Sequence, residues 1–166
     1  MIVLPTTEAH WQALRAVRLA ALLDAPTAFG VTHAQSSANT EDDWRAHAAG
    51  RKGVAFFLAF DGDELNTDSA VGIAGGVTGG DGVHQLIAMW VRPDYRCAGV
   101  AAQLVDAVKA HAVAAGHARV VLDVSPDNLP AARFYQKQGF AFLPRWEPLA
   151  SHPHIQVQQM EWLAAT

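Results

Sequence analysis

The sequence has one cysteine, Cys97, which excludes an intramolecular disulfide and every zinc pattern built on several thiolates. It also lacks long hydrophobic runs. The longest, VAFFLAF at 54–60, falls far short of the roughly 20 apolar residues a membrane-spanning helix needs, so no membrane partner is expected. The opening MIVLPTTEAHW carries no basic stretch and no small-residue cleavage pattern, and the expected location is cytoplasmic. Positive charge is scarce: 12 Lys and Arg stand against 16 Asp and Glu, a net charge of -4, with no basic run. A field of that sign repels nucleic acid, which is not expected as a partner.

What is present is the composition of a folded domain, 51% hydrophobic and 17% charged with a mean hydropathy of +0.08. The 166 residues suit a single domain with one core, spanning 1–166. Glycine is plentiful but not in nucleotide-loop order. Gly72, Gly75, Gly76, Gly79 and Gly80 fail the G-x-G-x-x-G spacing, and Asp81 stands where a phosphate loop requires Lys. Turns and close strand packing account for these glycines.

Periodicity predicts a short strand at IVL and a helix over about 8–23, with Trp11, Leu14, Val17 and Ala21 inward and Pro26 beyond its end. The stretch 29–40 reads as irregular, and EDDWRAHAA at 41–49 reads as a second helix with three acids in its first turn. Three β-rich runs follow, VAFFLAF, AVGIAGGV and VHQLIAMWV, joined by Gly/Asp turns as in an antiparallel meander. A helix over about 99–115, the strand RVVLDV, a short helix in SPDNLPAARFYQKQGF and a terminal strand HIQVQQMEW follow, for an order close to βααβββαβαββ. The strand–helix–strand unit implies a right-handed parallel crossover. The fold class is α/β in the broad sense, a mixed α+β sheet of about seven mostly antiparallel strands with helices on both faces.

The stretch VRPDYRCAGVAAQLV passes from strand to helix through small residues. Small side chains there let an anion reach the amides of the helix's first turn, where the helix dipole adds about 0.3–1 kcal/mol per favourable charge. An ordinary helix start would look the same. VRPDYRCAGVA resembles the acyl-CoA signature of the GNAT superfamily of N-acetyltransferases, matched at Val91, Pro93, Arg96, Gly99 and Ala101. NLPAARFYQKQGF is similar to the later motif of that family, at Asn128, Ala131, Tyr135, Gly139 and Phe140.

The resemblance implies a chemistry. The amides of Arg96, Cys97, Ala98, Gly99, Val100 and Ala101 would hold the pyrophosphate of acetyl-CoA, used as co-substrate with no metal. Pantetheine would pair with the backbone of Met89 and Val91 between splayed fourth and fifth strands, beside Asn128. An amide near Met89 or Trp90 would donate to the oxyanion. Tyr135 would be the general acid for the leaving thiolate. Many relatives carry Glu six residues before the signature valine; here it is Gln85, which cannot accept a proton, and no base is assigned. Neighbouring His84 points to the other face of a regular strand.

Cys97 lacks a recognisable base and reads as a small residue tolerated in the turn. His152 and His154 have an alternate spacing but no third ligand, and read as solvated loop residues. The expected activity is transfer of an acetyl group to a primary amine of a small molecule or peptide by direct attack. The acceptor site would be built from the first two helices, the loop at Phe29 and residues 144–154. The alternative is a non-catalytic acyl-CoA-binding or sensing module. The chain is expected to be a monomer or homodimer.

Overall fold

The run at 54–60 is apolar throughout because both of its faces are covered. In the computed structural model, which describes residues 1–165, it lies inside a seven-stranded sheet. The elements in chain order are β1 (Ile2–Pro5), α1 (Trp11–Asp24), α2 (His33–Ser37), α3 (Glu41–Ala48), β2 (Val54–Phe60), β3 (Ala70–Thr78), β4 (His84–Val91), α4 (Val100–Ala114), β5 (Arg119–Val124), α5 (Leu129–Lys137), β6 (Ala141–Leu149) and β7 (His152–Leu163). The strands lie in the order β1-β2-β3-β4-β5-β7-β6. Every neighbouring pair is antiparallel except β4 and β5, which the α4 crossover makes parallel.

Two expectations change. The first predicted helix divides into a 3-10 turn at Glu8–His10 followed by α1. The stretch 29–40 is not wholly irregular, because it contains α2. That helix is held by a reciprocal cap, in which Gln35 N–H donates to Thr32 Oγ1 at 3.1 Å and Thr32 N–H to Gln35 Oε1 at 2.8 Å.

Alternation along the strands builds two cores. Leu58, Phe60, Ile73 and Trp90 pack with Leu14, Val17 and Trp44 of α1 and α3. Phe57, Ala59, Leu86 and Leu122 pack on the other face with Leu104, Val105 and Val108 of α4. β3 turns Gly72, Ala74 and Gly76 towards α4, and this lets the helix lie close. A Cβ at Gly72 would meet Leu104 Cδ1 at 3.0 Å, and one at Gly76 would meet His84 Nε2 at 2.6 Å. Leu104 is fully buried in this seam. Leu104→Ala should lower unfolding free energy by about 2–5 kcal/mol in a denaturant titration, since tightly set neighbours collapse poorly into the space left.

Candidate functional site

β4 and β5 are paired over only two positions, His84 with Val120 and Gln85 with Val121, and beyond them the strands part. A cavity of about 780 Å³ opens there. Its walls are Gln85–Met89 of β4, Leu122–Val124 of β5, Asn128, Ala131 and Tyr135 around α5, Arg18 of α1, Ala25 and Thr27–Val31 after α1, and Glu147–Leu149 of β6 and Ala150 beyond it, with Ile155 and Val157 of β7. The loop at Phe29 and part of the stretch 144–154 line this cavity, whereas α1 contributes Arg18 alone and the helix predicted at 41–49 contributes no residue.

The β4 wall is bent. Ile73 faces Trp90 and Gly75 faces Ile87, so Ala88 and Met89 together oppose Ala74 in a bulge. Ala88 takes φ +59°. That left-handed conformation costs an alanine about 1–2 kcal/mol, and bulges of this kind free a ladder amide and re-aim it. Met89 lines the cavity, whereas Trp90 and Val91 do not. The Trp90 side chain is buried against α1 and donates through Nε1 to Asp24 Oδ2 at 3.0 Å.

Beyond Val91 the signature turn lies at the surface, outside the cavity wall. Arg96, Cys97, Ala98 and Gly99 are exposed, with Cys97 at φ +64° and Gly99 at φ +82°. The positive φ explains glycine at position 99, where α4 starts without a side-chain cap, leaving first-turn amides such as those of Val100 and Ala101 to water or a ligand. The Val100 side chain is core, so only its main chain is offered. Arg96 is turned back into the protein: its amide donates to Pro93 O at 3.3 Å, Nε to Val91 O at 3.0 Å and Nη2 to Asp24 Oδ2 at 2.8 Å. Hydrogen bonds from Trp90 and then Arg96 hold the Asp24 carboxyl below its ordinary range and pin the turn to the end of α1.

On the α4 side of the gap, Tyr135 packs edge-on to Phe134 and Phe140, with centroids 5.2 and 5.9 Å away. Burial raises its phenol above the usual value, so the proton stays on at neutral pH. Asn128 caps α5 through a long bond from Ala131 N–H to Oδ1, 3.4 Å. On the opposite face, Gln85 Nε2 donates to Asp123 Oδ2 at 3.2 Å. Glu147 of β6 is close enough to hydrogen-bond the same carboxyl, and burial together with that neighbour raises Asp123 to about 6. His84 does point the other way, into the α4 layer, with its ring stacked 4.7 Å from that of His117.

The sequence reading missed Asp123 and Glu147. The available signal was one acid inside the otherwise apolar strand RVVLDV. The outer rim is tied by Ser151, whose hydroxyl donates to the Phe29 carbonyl. His152 and His154 stand 6.0 Å apart, and among the described residues no group of three His, Cys, Asp or Glu side chains is arranged to hold a metal. Among the same residues no helix is long and apolar enough to cross a membrane.

The family model described as the Acetyltransferase (GNAT) family matches residues 18–140. No curated protein matches the sequence. Among solved structures, the chain is similar to an acetyltransferase of the GNAT family from Streptococcus pneumoniae, at 19% identity with 99% of each chain covered and a TM-score of 0.76. It is similar to yncA from Salmonella typhimurium, solved with its cofactor acetyl-CoA, at 16% identity, 100% of this chain and 95% of that one, and a TM-score of 0.76. Ribosomal-protein-alanine N-acetyltransferase from Brucella melitensis is similar at 16% identity, 98% and 99% coverage and a TM-score of 0.73. At these identities the likeness is one of fold.

Proposed function

The chain belongs to the GNAT acetyltransferase family, and from that membership we propose that it moves an acetyl group from acetyl-CoA to a primary amine by direct attack in a ternary complex. The observation that carries this reading is the gap between β4 and β5, with a protonated tyrosine on one face and a carboxyl pair on the other. The residues present suit acetyl-CoA. The uncapped start of α4, reached through the exposed Cys97, Ala98 and Gly99, fits a diphosphate, and the parted strands leave an edge at Met89 for an extended arm beside Asn128, with Val91 beyond the cavity and its carbonyl already accepting from Arg96.

The bound thioester supplies an acetyl group activated towards nucleophiles. An amide freed by the bulge at Ala88 and Met89 donates to the carbonyl oxygen as negative charge gathers there. Asp123, with Glu147 beside it, accepts the proton that the acceptor ammonium must lose before its nitrogen can attack, directly or through one water. Tyr135 gives its proton to the sulfur as the C–S bond breaks and recovers one from solvent. The products are an acetamide and the free thiol, with one proton released when the acceptor enters charged.

Gln85 in place of Glu favours a second reading, an acyl-CoA-binding module without turnover. Asp123, 3.2 Å from Gln85, offers the carboxylate that position lacks and weighs against it. The test is release of free thiol from acetyl-CoA in the presence of a panel of amines. Amine-dependent release is expected. Binding without release from any amine would leave the second reading standing. Saturation at about 100 times Kd should add about 2.7 kcal/mol of stability, read as a rise in Tm, and no rise would remove both readings.

A further inference from the structure

Arg18 of α1 lies in the cavity wall, and among the described residues it has no counter-ion. Its guanidinium carbon sits 4.9 Å from the centre of the Phe29 ring, and Nη1 is shut off from solvent with no hydrogen-bond partner. Burial lowers its pKa to about 10, which still leaves it a cation at neutral pH, and no acid acts on it. Its charge is felt by His47 of α3, whose own pKa is lowered by burial first and then by Lys52 and Arg18, with Asp43 opposing them. Of the acids on α1 and α3, Asp24 is engaged with Trp90 and Arg96, Glu41 with Arg45, and Asp43 with Thr40, and Asp42 is exposed. A largely buried cation without a partner is costly, and folded proteins ordinarily resolve it with an anion.

Asp123 and Glu147 belong to the same cavity, on β5 and β6. On the face of the sheet opposite α4, one cavity therefore presents a positive group from α1 and an acid pair from β5 and β6, and a ligand that is itself dipolar satisfies both. We propose that Arg18 is the anion anchor of the acceptor site, so that the acceptor is an amine carrying a carboxylate on the same small molecule, an amino acid and not a simple alkylamine. This rests on the reading of the cavity as the acceptor site. Arginine suits the role because its planar fork grips a carboxylate with two parallel hydrogen bonds, and the Phe29 ring fixes the plane of that fork.

The test compares matched pairs by calorimetry on the CoA-saturated protein: each standard amino acid against the amine left when its carboxylate is removed, such as leucine against 3-methylbutylamine, phenylalanine against phenethylamine and methionine against 3-methylthiopropylamine. Amino acid amides, which keep the shape and lose the charge, form a third arm. At least one acid should bind ten-fold or more tightly than its amine and its amide. Arg18→Gln should bring that acid down to the level of its amine, and Arg18→Lys, which keeps the charge but not the fork, should restore part of the difference. If no acid binds more tightly than its amine, or if the difference survives Arg18→Gln, the anchor is refuted. The wild-type comparison decides the matter even if Arg18→Gln fails to fold. Because binding is read without turnover, carboxylate-dependent binding with no thiol release would refute acetyl transfer while leaving the anchor in place.

Discussion

Tyr135→Phe is expected to lower kcat by about 10²- to 10⁴-fold while leaving the affinity for acetyl-CoA unchanged. Phenylalanine keeps the ring and its edge-on packing against Phe134 and Phe140, so the lost group is the hydroxyl alone. The direction of the pKa change matters here. A phenol raised by burial is a poorer acid than tyrosine in water, but it stays fully protonated across the working range, so its proton is in place when charge gathers on the departing sulfur. Stopped-flow thiol release with a titration of acetyl-CoA separates the two quantities. A fall in affinity that matched the fall in rate would assign Tyr135 to binding.

Asp123→Asn should lower kcat/KM by about 10²-fold or more, and should remove a limb from its pH profile. With the carboxyl raised to about 6, the wild-type rate should climb as pH passes upward through that value, because the base works only when deprotonated. Groups facing it are Glu147 and Arg145 of β6 and the neutral Gln85 of β4, with Gln159 opposite on β7. Burial first and Glu147 second raise the value, while Gln85 and Arg145 oppose them. The stability sign is the reverse of the usual aspartate. A folded-state pKa above the unfolded one favours folding at low pH, and that advantage fades as pH rises through about 6. The Asn variant should therefore melt no lower than wild type at pH 8 while having lost activity, a combination a purely structural aspartate would not give.

The layered fold was legible because its elements carry strong periods. Continuous apolar strands mark a sheet covered on both faces, and the residues of α4 that gather on one side of the sequence pattern are those that meet β3. α2 was hidden because five residues are too few to display a helical repeat, and its caps are local side-chain bonds that no periodicity reveals. The bulge was hidden for a different reason. Ala88 takes a conformation that sequence patterns associate with glycine. Glu147 lies 24 positions beyond Asp123, and the two meet only through the register that sets Asp123 opposite Gln159 and Glu147 opposite Val157. Arg18 falls within the helix predicted over 8–23, and nothing in its spacing shows that the Phe29 ring lies against its guanidinium. Motifs revealed Asn128, Ala131 and Tyr135 on one wall of the cavity, whereas the walls at Phe29 and Glu147 are made by long-range pairing.

Two rungs are all that join β4 to β5, and the sheet is therefore mechanically a pair of plates riveted at one end. Along the open end, backbone groups that a closed sheet would satisfy internally must bond water, and on the proposed reading an extended acyl-CoA arm bridging the plates would satisfy them instead. Rigidity and readiness to react would then arrive together, supplied by the guest itself.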